Sequence, residues 1–303
     1  MLLKEDLMKK SFFLILVCIC CSCVAPLQLG KNQNSLDTEY AIDVNKASNC
    51  NFKSQAVMEL PCITFYTEPT KEQWNILRQI NFPYHLHLAF LSPASNRMAN
   101  LKDLDMLQYL EVTNEFITDE IFQHIKDLPL LERVRITNCS RLTNRGLECL
   151  ADVKKLKKLE IYNCEQITDW GFRNFCQHKS LKSCYIHDCD NITNSVISII
   201  VQIPNLSRIS LWNNQSKFEE MDIEQFLSCH ALEVVALSPC NDITQENVEK
   251  LLSKHSQMRL LYIDKCCKIN NSEAKEIQKQ YPDCAISISQ YSNSKTDRKW
   301  ILD

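Results

Sequence analysis

The sequence predicts an α/β fold built as a solenoid, with one short strand, one turn and one returning helix in each repeat. Three observations predict it. An apolar pattern recurs about every 25 residues. A small Cys or Asn stands at a fixed place after each copy, and an Ile-Thr or Leu-Thr pair follows in most. Regular recurrence on this scale means units that cannot bury their apolar faces alone but can do so when stacked.

Each element of the repeat has a physical reason. With Leu131 as offset zero, Val134, Ile136, Cys139, Leu142 and Thr143 follow. Leu156, Leu181, Leu206, Leu232 and Met258 begin matching copies downstream, and Leu107 begins one upstream. The L-x-x-L-x-L core reads as a strand whose alternate residues point inward. The small residue at offset eight (Cys139, Cys164, Cys189, Asn214, Cys240, Cys266) sits where the chain leaves the strand. Thr118, Thr143, Thr168, Thr193 and Thr244 suit helix N-caps, because a hydroxyl accepts an orphan backbone N–H. Leu147 and Leu150, Phe172 and Phe175, Val196 and Ile200, and Val248 and Leu251 then recur at helical spacing.

Weaker copies precede at Leu60-Ile63-Phe65 and Pro83-Leu86-Leu88, and Pro282 to Ser289 reads as a closing strand. About seven to nine repeats are expected over 59–290. The copy that starts at Leu206 lacks the Ile-Thr pair, so an irregularity on its helical side is expected.

The pattern L-x-x-L-x-I-x-x-C-x-x-I-T-D/N resembles the cysteine-containing subfamily of leucine-rich repeats. The resemblance covers residues 107 to about 280 strongly. It implies a sheet on the concave side, helices outside and a protein-binding role. That subfamily is best known for substrate recruitment in F-box ubiquitin-ligase receptors. Residues 30 to 100 show no F-box pattern, so that role is not carried over.

Lys9 and Lys10 followed by the apolar run Phe12 to Ala25 read as an export signal. The run is too short for a bilayer-spanning helix, which takes about 20 apolar residues. Its end resembles a bacterial lipoprotein signal with Cys23 as the lipidated residue and Cys20 and Cys21 as alternatives. The Leu or Val usual three positions earlier is replaced by Cys20. A plain cleaved signal and a buried N-terminal helix are the alternatives. The expected organisation is a signal over 1–23, a polar linker over 24–58, the repeat domain over 59–290 and a flexible tail over 291–303. An exported, membrane-associated, lipid-anchored protein is expected, with a cytoplasmic adaptor or effector as the alternative.

The chain carries 17 cysteines, three glycines and a net charge of −3. So few glycines argue against a glycine-rich phosphate loop, and the charge gives no footprint for nucleic acid. The cysteines at offset eight should stack as small buried hydrophobes, and Cys149, Cys176, Cys184 and Cys229 should fill the core as well. Of the sequons at Asn138, Asn191, Asn205, Asn214 and Asn270, several fall on or beside strands, where a glycan would hinder stacking. No cofactor or metal is expected.

Offsets two, four and six should face solvent on the concave sheet. They bring Tyr162, Tyr185, His187 and Trp212 together, flanked by Arg133, Arg135, Lys158 and Arg208. Exposed Tyr, Trp and Arg are enriched in interface hot spots, so these eight residues are the candidate site for a protein partner. Little supports catalysis: Cys189 should point inward and His187 outward, which separates a Cys-His pair. His85 and His87 alternate on a strand with no apparent third ligand.

Overall fold

The computed structural model describes residues 60–89, 96–214 and 217–289. Cys23, the signal, the linker and the tail lie outside the described residues. Ten strands form one parallel sheet in sequential order, β1 to β10. β1 is Cys62–Phe65, β2 Tyr84–Leu88, β3 Leu107–Thr113, β4 Arg133–Thr137 and β5 Lys158–Tyr162. β6 is Ser183–His187, β7 Arg208–Trp212, β8 Val234–Ser238, β9 Leu260–Ile263 and β10 Ala285–Ile288. One helical segment returns the chain between each successive pair of strands. Two of these returns, Asn96–Asp103 and Asp169–Gln177, are 3-10 rather than α.

Inward residues at offsets three and five are fully buried in every strand from β3 to β9, as at Val134 and Ile136, Leu159 and Ile161, and Val235 and Leu237. The helical returns add Leu147, Leu150, Phe172, Phe175, Val196, Ile200, Val248 and Leu251 to the same core. Both weak N-terminal copies are strands, and the closing strand is β10.

The turn after the strand shows why the motif is what it is. Asn138, Asn163, Asp188, Asn213 and Lys265, at offset seven, adopt φ between 50° and 56°. Asn and Asp tolerate this left-handed conformation better than other non-glycine residues. Successive turns are tied together: Asn163 Nδ2 donates to Asn138 Oδ1 at 2.8 Å, and Asn213 Nδ2 donates to Asp188 Oδ1 at 2.8 Å. The cysteine that follows is buried and turns its thiol back. Cys139 Sγ donates to the Thr137 carbonyl at 3.4 Å, Cys164 to Tyr162 at 3.4 Å and Cys189 to His187 at 3.3 Å. A thiol therefore fits offset eight for two reasons: it is small, and it satisfies the carbonyl two residues back. Asn214 and Cys266 reach the preceding repeat instead: Asn214 donates to the Ile186 carbonyl and accepts from Cys189 N–H, and Cys266 Sγ donates to the Ile243 carbonyl.

The threonines divide in their roles. Thr143, Thr193 and Thr244 accept backbone N–H groups from Arg145, Ser195 and Asn247. Thr168 instead accepts from Asn144 Nδ2, and no capping bond forms at the helix after Thr118. Where an Asp or Asn follows the threonine (Asp119, Asn144, Asp169, Asn194), it clamps the next repeat. Asp119 takes the N–H and hydroxyl of Thr143 at 2.8 and 2.7 Å, and Asp169 takes those of Thr193.

The structure corrects one expectation and refines two. Cys149 and Cys176 lie half-buried at the core's edge, because they fall on the outer flank of their helical returns. Asn138 directly follows β4, and it, Asn191, Asn205 and Asn270 are exposed in turns and loops. The obstacle to a glycan is a hydrogen bond instead: Asn191, Asn205 and Asn214 each use their amide N–H on a carbonyl of the preceding repeat. In the copy from Leu206 the return is the helix Glu220–Phe226, which starts at Glu219 in place of a threonine, its N–H accepted by Asp222 Oδ2 at 2.8 Å.

Gly146 and Gly171 are buried where helical returns of adjacent repeats meet. A Cβ on Gly146 would overlap Leu142 and lie 2.7 Å from Asp119 Oδ1, which is pinned by its bonds to Thr143 and Gly146. Gly146→Ala should therefore lower the free energy of urea unfolding by about 1–3 kcal/mol, despite alanine's better helix propensity. A more stable variant would contradict this packing.

Candidate interface on the open face of the sheet

Parallel pairing in register turns each outward offset into a column across the sheet. Arg133, Lys158, Ser183, Arg208, Val234 and Leu260 form one. Glu111, Arg135, Glu160, Tyr185, Ser210, Ala236 and Tyr262 form the next. Thr137, Tyr162, His187 and Trp212 belong to the third. Strands about 4.8 Å apart leave little room between large side chains, so these lie over one another.

All eight residues of the predicted site fall on this face and join one contact chain. Arg133 lies over Tyr109 at 5.8 Å, Arg135 over Tyr162 at 5.7 Å and Lys158 over Tyr185 at 4.7 Å. Tyr162 meets His187 edge-on at 4.9 Å, and His187 continues to Trp212 at 6.5 Å. Arg208 hydrogen-bonds Tyr185 and pairs with Glu233 at 3.8 Å.

Their exposure departs from the sequence expectation. Tyr185 is only 2% exposed, Trp212 6% and Lys158 7%, and His187 is buried too. Arg133, Arg135, Tyr162 and Arg208 are half-buried. The correction is physical: strand alternation sets which face a side chain takes, but neighbouring columns decide how much of it meets water. Trp212, with Ala236 and Tyr262, makes a small apolar cluster separate from the main core, its ring 5.3 Å from that of Tyr262. Truncating Trp212 and Tyr185 to alanine would therefore cost stability as well as surface.

Sequence reasoning missed the anions at the centre of this face. Glu160 is 1% exposed and takes Arg135 Nη2 at 2.8 Å, Tyr162 Oη at 3.3 Å and Lys158 Nζ at 3.4 Å. Glu111 stands 3.2 Å from His85 Nε2 and 3.9 Å from Arg135 Nη1. Burial tends to raise the Glu111 pKa, but His85, His87 and Arg135 outweigh it and hold it below the usual value. Burial lowers the Lys158 pKa, with Glu160 opposing. The two histidines of β2 thus do have a carboxylate beside them, contrary to the sequence expectation. Among the described residues no group of three or more His, Cys, Asp or Glu side chains could hold a metal ion. His187 Nε2 lies 2.7 Å from Ser210 Oγ, while Cys189 points into the core. Burial pushes the Cys189 thiol up to about 11.

No family model and no curated protein matches this sequence. Solved structures with a similar backbone include TLR13 in a TLR13–ssRNA13 complex, 18% identical with a TM-score of 0.49. That match covers 75% of this chain and 30% of TLR13, so the chain spans under a third of that protein's length. The leucine-rich repeat domain of the type III effector XCV3220 (XopL) is 15% identical, with a TM-score of 0.42 over 72% of this chain and 71% of that one. Internalin C2 from Listeria monocytogenes is 20% identical, with a TM-score of 0.36 over 65% and 68%. The fold is a leucine-rich-repeat solenoid. It stands on the repeat and the ten-stranded sheet themselves, and relatives this distant bear on nothing beyond the fold.

The buried carboxylate of Glu160 should matter far more than an exposed one. Glu160→Ala strands Arg135 and Lys158 and should cost about 3 kcal/mol in urea unfolding. Glu132→Ala, which removes the exposed pair with Lys157, should cost less than about 1 kcal/mol. Equal costs would show that the Glu160 network is not holding this face.

Proposed function

We propose that the protein is a non-enzymatic binding module that holds a protein partner on the open face of its sheet. The observation that carries this reading is the composition of that face. Aromatic and cationic residues are fixed in place across β3 to β7. An apolar stretch of Trp212, Val234, Ala236, Leu260 and Tyr262 then continues onto β8 and β9. Side chains already ordered by their neighbours lose little rotamer entropy when a partner docks, which favours recognition over flexible contact. Arg, Tyr and Trp in a desolvated patch are also the residue types that dominate binding energy.

The setting proposed for this module is export, with lipid attachment at Cys23 and the polar stretch 24–58 as a tether. The support is the short apolar run behind two lysines and the cysteine after small residues. An intracellular adaptor is the rival setting.

Val234 and Leu260 are half-buried, so glutamate at both positions should alter unfolding stability by no more than about 1 kcal/mol. The Val234→Glu/Leu260→Glu variant should lose the protein that wild type captures from a lysate of its own cells. Retained capture by the folded variant would sink the binding-face reading. In the same cells, metabolic palmitate should label wild type and not Cys23→Ala. Unlabelled wild type would favour the intracellular setting.

A further inference from the structure

We infer that the partner presents a short, extended run of Asp or Glu side chains to a basic groove across the strand starts of β4 to β8. This rests on reading the open face as a binding surface and specifies the chemistry of what it binds. The groove encloses about 570 Å³ and is lined by Arg133, Lys157, Lys158, Lys182 and Arg208. Two carboxylates, Glu132 and Glu233, also line it. A chain whose net charge is −3 thus gathers five cations in one groove.

The pairs along the groove are open to exchange. Lys157, exposed, reaches Glu132 at 2.6 Å, and Arg208, half-buried, reaches Glu233 at 3.8 Å. Pairs of this kind are worth roughly 1 kcal/mol or less, so an incoming carboxylate exchanges with them at little cost. Lys158 shares Glu160 with Arg135, which also reaches Glu111. Lys182 is exposed and makes no ion pair among the described residues. Five cations and two carboxylates leave the lining net positive, which suits a ligand carboxylate.

The geometry sets the length of the ligand. Five strands span four gaps of about 4.8 Å, roughly 19 Å, which an extended peptide covers in about six residues at 3.3 Å each. The Ser183 hydroxyl and the Tyr185 ring lie between the flanking cations. Beyond Arg208 the same column turns apolar at Val234 and Leu260, which suits a peptide whose acidic run is followed by apolar side chains. A nucleic acid fits less well. The overall negative charge repels a long polyanion, and the buried Tyr185 ring offers no open face for a base.

The test is fluorescence anisotropy of the whole protein with labelled, end-blocked hexaglutamate, with hexalysine and an oligothymidylate as comparisons. Hexaglutamate should bind at low salt, weaken as salt rises and outcompete the oligonucleotide, while hexalysine should not bind. Lys182→Glu/Arg208→Glu should weaken hexaglutamate by at least about tenfold. Lys182→Glu alone, an exposed change that leaves the fold intact, should weaken it in the same direction. Lys275→Glu, on the far helix Asn271–Gln280, should change nothing. No hexaglutamate binding, unchanged binding by the groove variants or preference for the oligonucleotide would overturn the proposal. The titration uses no cellular partner. Failure here, with capture still lost in Val234→Glu/Leu260→Glu, would remove the groove and leave the binding face standing. Capture retained by that variant would remove the face whatever hexaglutamate does.

Discussion

The structure depends on one constraint: no repeat can bury its own apolar face, so every strand must stack in register on the next. Register in turn requires the chain to leave each strand the same way. The left-handed residue at offset seven, usually Asn or Asp, and the small polar group at offset eight meet that need together. The first makes the bend without a glycine. The second returns a hydrogen bond to the strand it has just left. The Asp or Asn after the threonine then ties each helical return to its successor. Because these devices repeat, the cost of error is shared: a fault in one turn disturbs two interfaces.

In-register stacking also writes the open face. It converts a scattered set of residues about 25 positions apart into continuous columns. Tyr162, His187 and Trp212 meet only because their strands pair without a shift. The same geometry draws Glu111, Arg135, Glu160 and Lys158 into a buried network. Such a network has a desolvation cost that hydrophobic packing would avoid. What it supplies is position: the aromatic rings and cations around it are held before any partner arrives.

The strands, the inward core and the membership of each column were legible from period and alternation. Leu159 and Ile161 had to be inside, and Tyr162 had to share a column with His187. Exposure was not legible. Nothing in the separate strings around Tyr185 and Lys158 states that these two side chains will cover each other. The clamp from Asp119 to Thr143 was invisible for a related reason, since the motif shows Thr followed by Asp or Asn but not which repeat that side chain serves. Glu132, Lys157, Lys182 and Glu233, just before the strands, belong to neither face in a simple alternation. The basic groove therefore emerged only when the strand starts were brought side by side.

The helical side offers a rival surface. Trp170 is 62% exposed and Met221 76%, although the Arg173 guanidinium lies over the Trp170 ring. A photo-crosslinking residue placed at Thr137 or Val234 on the open face, and separately at Trp170, decides between the two sides. The account predicts that the captured partner is cross-linked from Thr137 or Val234 and not from position 170. Adducts from position 170 alone would contradict it.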